Sequence, residues 1–135
     1  MNLILNKFFI FLIVAFISPS KQEMNERINK TITNGNSKEL SVYFHEKIEL
    51  KVVNKENIYS KHQAEKIIEE FFRQFPPNQF IEIKNNSSKQ AKQFVSGRYL
   101  SGKTKFRISY LLKKIDEQFY ITQFRIERPH EEQFH

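Results

Sequence analysis

The chain has 135 residues, with 22 Lys and Arg against 15 Asp and Glu, for a formal net charge of +7. Its length suits one domain. The absence of cysteine excludes disulfides, thiolate metal sites, cysteine nucleophiles and lipid attachment through sulfur. Three scattered glycines (Gly35, Gly97, Gly102) cannot make a phosphate-cradling loop, and the lone aspartate, Asp116, leaves no Asp dyad.

Residues 1–20 read as an address. Phe8 to Ile17 is an unbroken apolar run of ten residues behind a weakly basic start at Lys7. Crossing a bilayer takes about 20 apolar residues, so the run fits the apolar region of a secretory signal peptide. Ser18-Pro19-Ser20 supplies small residues for cleavage after Ser20. An uncleaved anchor over Leu3–Ile17 is the competing reading, opposed by Asn6 and Lys7. The expected product is exported, periplasmic or extracellular in a bacterium. It consists of one domain over 21–128 and a polar tail over 129–135.

Met24, Ile28, Thr31 and Ile32 share a helical face, and Asn34-Gly35 supplies a left-handed stop. Ser37 is placed to cap a second short helix that buries Leu40, Tyr43 and Phe44. The period then changes to two, and Ile48, Leu50 and Val52 predict a half-buried strand over 47–53. Residues 54–57 read as a turn, and Ile58-Tyr59 as a strand stub. Ser60 and Gln63 form a capping box ahead of a stripe of Ala64, Ile67, Ile68, Phe71, Phe72 and Phe75, which Pro76-Pro77 ends. Strands follow over 79–84, 92–100, 103–113 and 118–128, with turns at 85–88, Ser101-Gly102 and Asp116-Glu117. Phe106, Ile108, Tyr110 and Leu112 alternate with polar residues and point to the helices. The result is an α+β layout in which an antiparallel sheet curls around the amphipathic helix.

This order resembles the nuclear-transport-factor-2-like cone. Four segments resemble the exported bacterial family called domain of unknown function 4783: Leu40–Phe44, Ile58–Glu65 leading to Phe71-Phe72, Phe106–Lys114 and Phe124–Glu127. The resemblance covers residues 24–128. It implies export and a single domain, and passes on no chemistry and no site residues.

The cone hosts enzymes and binding modules alike, so function must be read from sites. Glu49 and Glu82 sit between apolar neighbours, which predicts that both face away from the interior. The grouping available for catalysis is Tyr43, His45 and Tyr110, in which an imidazole, the side chain most often used for proton transfer, lies beside phenols. The bland reading makes His45 a loop residue and both tyrosines core aromatics. His62 reads as solvated, and His130 and His135 lack a third metal ligand. No cofactor or metal is expected. From Ile83 to Ile115 there is no acid but nine bases, and Lys103, Lys105, Arg107 and Lys113 are expected on one outward face. Such a stripe attracts anionic partners, and Leu111 within it suits a homodimer contact. The reading adopted is a non-catalytic binding module, with an apolar ligand in the cone or an anionic envelope partner or acidic protein on the sheet. Nucleic acid is not expected. The alternative is a small-molecule isomerase or hydrolase using cavity Tyr and His.

Overall fold

Helix α1 (Lys21–Thr33) starts where the Ser20 hydroxyl accepts the Glu23 N–H, and α2 (Ser37–Ser41) where Asn36 accepts that of Glu39. The structure, a computed structural model, describes residues 19–88 and 92–129. The expected apolar leader, apart from Pro19 and Ser20, and both His130 and His135 lie outside the described residues. Strands β1 (Phe44–Val52) and β2 (Lys55–Ser60) form a hairpin ahead of α3 (Lys61–Gln74). Strands β3 (Gln79–Ser88), β4 (Lys92–Ser101), β5 (Thr104–Ile115) and β6 (Gln118–Glu127) follow. Both halves of the α3 capping box are present, and the helix ends before Pro76 because proline has no N–H to donate.

The six strands form one curved sheet, in the order β2-β1-β6-β5-β4-β3. All pairings are antiparallel except that of β1 with β6, which is parallel. The expected purely antiparallel sheet is therefore corrected. The chain leaves β1 by a hairpin and α3, and only the last strand returns to cover the free edge of β1.

The core lies between α3 and the concave face. Phe106, Ile108, Tyr110 and Leu112 are all buried there, as their spacing predicts, against Ile121, Phe124 and Ile126 of β6 and Phe44, Ile48 and Leu50 of β1. Phe71 and Phe72 are both buried, and Phe71 contacts the rings of Phe75, Tyr99 and Phe106. Burial of each stabilises by about 1.5–3 kcal/mol.

Four local expectations change. Asn36, not Ser37, caps α2, which ends at Ser41; Tyr43 lies in the following turn, and Phe44 and His45 open β1. Residues 55–60 make a full strand registered on β1, from Val52 opposite Lys55 to Lys47 opposite Ser60. Strand β3 runs through the predicted turn as far as Ser88. Glu82 turns toward α1, where Asn25 and Asn29 meet its carboxylate, although the residue stays exposed. On this edge strand Phe80 packs against the core, whereas Ile81 and Ile83 point outward, 39% and 56% exposed.

Candidate functional site

Glu82 reaches its inward position because α1 supplies the donors its carboxylate needs. Asn25 and Asn29, one helical turn apart, donate side-chain N–H groups to Glu82 Oε1 at 2.7 and 2.9 Å. From the other side, the Tyr110 hydroxyl meets both amide oxygens, with Asn29 Oδ1 at 2.7 Å. Burial, and then the Glu82 charge, push the Tyr110 hydroxyl well above its ordinary pKa. It therefore stays protonated and serves as a donor. The network ties α1 to the sheet. Its signal in the sequence was a pair of asparagines at i, i+4 on the apolar face of α1.

The Tyr110 hydroxyl, expected in a grouping with Tyr43 and His45, is instead bonded to Asn25 and Asn29. His45 is half-buried on β1 and meets the Tyr120 ring edge-on at 5.4 Å, and Tyr120 is the cross-strand partner of Lys113. Tyr43 precedes β1 and is half-buried. The structure does not bring the three together. Among the described residues no three of His, Asp and Glu converge as metal ligands. His62 is exposed and lies 3.7 Å from Glu65.

The outward sheet face gathers much more. Lys105, Arg107 and Lys113 share it as expected, whereas Lys103 sits in the two-residue turn Gly102-Lys103 that joins Ser101 to Thr104. That turn sets the register so that Arg98 stands directly opposite Arg107, and Ser96 opposite Ser109. These residues line a groove of about 550 Å³, which Lys84 of β3 and Arg125 of β6 also line. The two serines are buried within it. Ile83, Phe94 and Pro129 make an apolar shoulder. Glu127 is the acid within the groove, accepting Lys51 at 3.0 Å and lying 3.5 Å from Arg125 and 3.7 Å from Arg107. Burial alone would raise the Glu127 carboxyl. The Lys51 hydrogen bond and the Lys51 and Arg125 charges outweigh it and hold the group below the usual carboxylate range. Arg125 also pairs with Glu56 at 2.8 Å. Arg98 and Lys84 make no ion pair among the described residues.

Guanidinium and hydroxyl donors converging on a groove are suited to bind anionic oxygens. Lys84 and Arg98 lie in the acid-free run of the sequence, but local spacing does not bring them to Arg107. Reading the turn as Gly102-Lys103 rather than Ser101-Gly102 would have supplied the register, since the loop length of a hairpin fixes its pairing.

A family model described as "Domain of unknown function (DUF4783)" matches residues 25–127. No curated protein matches the chain. Two solved structures of DUF4783 family proteins are similar over most of the chain. The Bacteroides uniformis protein is 26% identical, with a TM-score of 0.73 over 78% of this chain and 97% of that one. The Bacteroides ovatus protein is 27% identical, with a TM-score of 0.72 over 78% and 94%. An NTF2-like family protein from Streptomyces avermitilis, 9% identical with a TM-score of 0.59 over 78% of this chain and 90% of that one, shares the fold.

Proposed function

This chain belongs to the DUF4783 family, whose name carries no activity, and we propose that it is a non-catalytic binding module that engages an anionic partner through the outward groove of its sheet. The proposal includes export, so that the partner is an anionic component of the cell envelope. One observation carries the reading: Arg98 and Arg107 are held opposite each other, and Glu127 alone among the groove residues bears negative charge. Like charges directly opposite across strands are destabilising. A bound anion between them turns that repulsion into two attractions. The serine floor adds neutral donors, and the apolar shoulder adds contact area beside the charge.

Retention on heparin and on anionic vesicles tests this directly. Arg98→Glu with Arg107→Glu should abolish most of the retention, and that of the wild type should fall steeply with salt, because exposed charges are screened over about 8 Å at physiological ionic strength. The control is Lys38→Glu with Lys61→Glu, which makes the same change in net charge on exposed positions of α2 and α3. Equal losses from the two pairs would reduce the effect to net charge and end the reading.

A further inference from the structure

A second groove, of about 620 Å³, opens between α3 and the β1–β2 hairpin, away from the basic face. Ligand pockets commonly run to roughly 300–1,000 Å³. Its walls are aliphatic and aromatic, with Leu50, Val52 and Val53 on one side and Ile67, Phe71 and Phe75 on the other. Most of these side chains are only half-buried, so the groove leaves apolar surface in water, which an apolar ligand would cover.

The hairpin itself is strained there. Val53 and Asn54 form a two-residue turn between Val52 and Lys55, and Val53 takes φ +57°. Glycine or asparagine adopts that left-handed conformation readily, whereas a β-branched residue is an outlier in it. The Val53 N–H donates to the Ile126 carbonyl at 2.7 Å, which holds the turn against β6. Strain of this kind persists where the surrounding structure over-determines it, and it clusters at binding sites. Here it sets an isopropyl group in the wall of the groove.

The mouth of the groove is cationic. Lys55 has no carboxylate partner among the described residues, and Lys66 lies 3.5 Å from the exposed Glu69. Glu70, the acid at the same rim, is taken up by Arg73 at 2.5 Å. An apolar trough with a positive rim is complementary to a chain that is apolar along its length and anionic at one end. We propose that this groove binds an anion-headed amphiphile of the fatty-acid type, its tail along Ile67, Val53 and Phe75 and its carboxylate at Lys55 and Lys66.

The test uses dansylaminoundecanoic acid and its methyl ester as fluorescent probes, with oleate as competitor. The wild type should take up the acid saturably at one site, and oleate should displace it. Val53→Gly should raise the melting temperature, because it relieves the turn, while weakening probe binding about tenfold. A change that stabilises the fold yet loses the ligand cannot be put down to unfolding. Ile67→Glu should abolish uptake. Lys55→Glu with Lys66→Glu should weaken the acid about tenfold and leave the ester unchanged. Failure of the wild type to bind saturably would overturn the proposal, as would binding that Val53→Gly and Ile67→Glu leave intact. Equal handling of acid and ester in the wild type would overturn the assignment of the head group. A dimer that Ile67→Glu dissolves, with no probe uptake by the wild type, would show that a second copy fills the groove and would overturn the proposal too.

Discussion

Arg98 and Arg107 are cross-strand partners on the outward face, set opposite each other by the β4–β5 hairpin, with Glu127 of β6 on the other side of Arg107. A like-charged pair directly opposite in a sheet costs about 0.2–1 kcal/mol relative to neutral residues. Arg98→Ser should therefore raise the melting temperature by roughly 1–4 °C in low-salt chloride. Millimolar sulfate should stabilise the wild type more than chloride at matched ionic strength, and that difference should vanish in Arg98→Ser. Calorimetry showing the same sulfate effect in both proteins would place the anion elsewhere.

Tyr110→Phe removes one oxygen and leaves the Asn25 and Asn29 amide oxygens without their donor. A buried acceptor left unpaired costs about 1–3 kcal/mol. Urea unfolding should show a loss of that size with the slope unchanged, whereas a change of only a few tenths would mean that water replaces the hydroxyl.

Glu127 gives the protein an acid limb. Its carboxyl is held below the usual range in the folded state, while in the unfolded chain it titrates near about 4.3. The unfolded state thus takes up its proton first. The stabilisation is complete above that value and is lost as pH falls through the lower folded one. Between about pH 5 and pH 3 the wild type should lose more stability than Glu127→Gln. Parallel pH profiles would show that Lys51 and Arg125 do not favour the charged form.

Gly97 and Gly102 should respond in opposite ways to asparagine. A Cβ on Gly97 would lie 2.6 Å from the Phe80 ring and 2.7 Å from the Ile81 carbonyl oxygen, whereas one on Gly102 meets nothing within 4 Å. Gly102 instead needs its φ of +57°, which asparagine tolerates. Gly97→Asn should cost about 1–3 kcal/mol or more through overpacking, and Gly102→Asn should be close to neutral by thermal melting.

The parts of the fold legible in the sequence were those set by local period and end chemistry. Ser60 and Gln63 announce α3, its stripe marks the face that packs on the core, and the alternation from Phe106 to Leu112 assigns the buried side of β5. Each depends on residues within a few positions of one another. The parallel seat of β1 beside β6 depends on Phe44 meeting Ile121, and no local pattern encodes that pairing. Glu82 was misplaced for a related reason. Ile81 and Ile83 look like core residues from their chemistry, and only the donors on α1 show that the edge strand is turned the other way. The basic residues of the candidate groove were visible one by one, but their convergence needed a register that a one-position difference in the turn concealed.

The pairing of β1 with the last strand also governs timing. A nascent chain has completed α1, both strands of the first hairpin and α3 before residues 118–127 exist, so one edge of β1 has no neighbour until synthesis is nearly over. Closure of the sheet is then a late, long-range event, the kind that slows folding. A chain cut short before Gln118 would carry a bare strand edge open to other chains. Pulse-labelled truncations at successive lengths should stay protease-sensitive until β6 is included, and then become resistant in a single step.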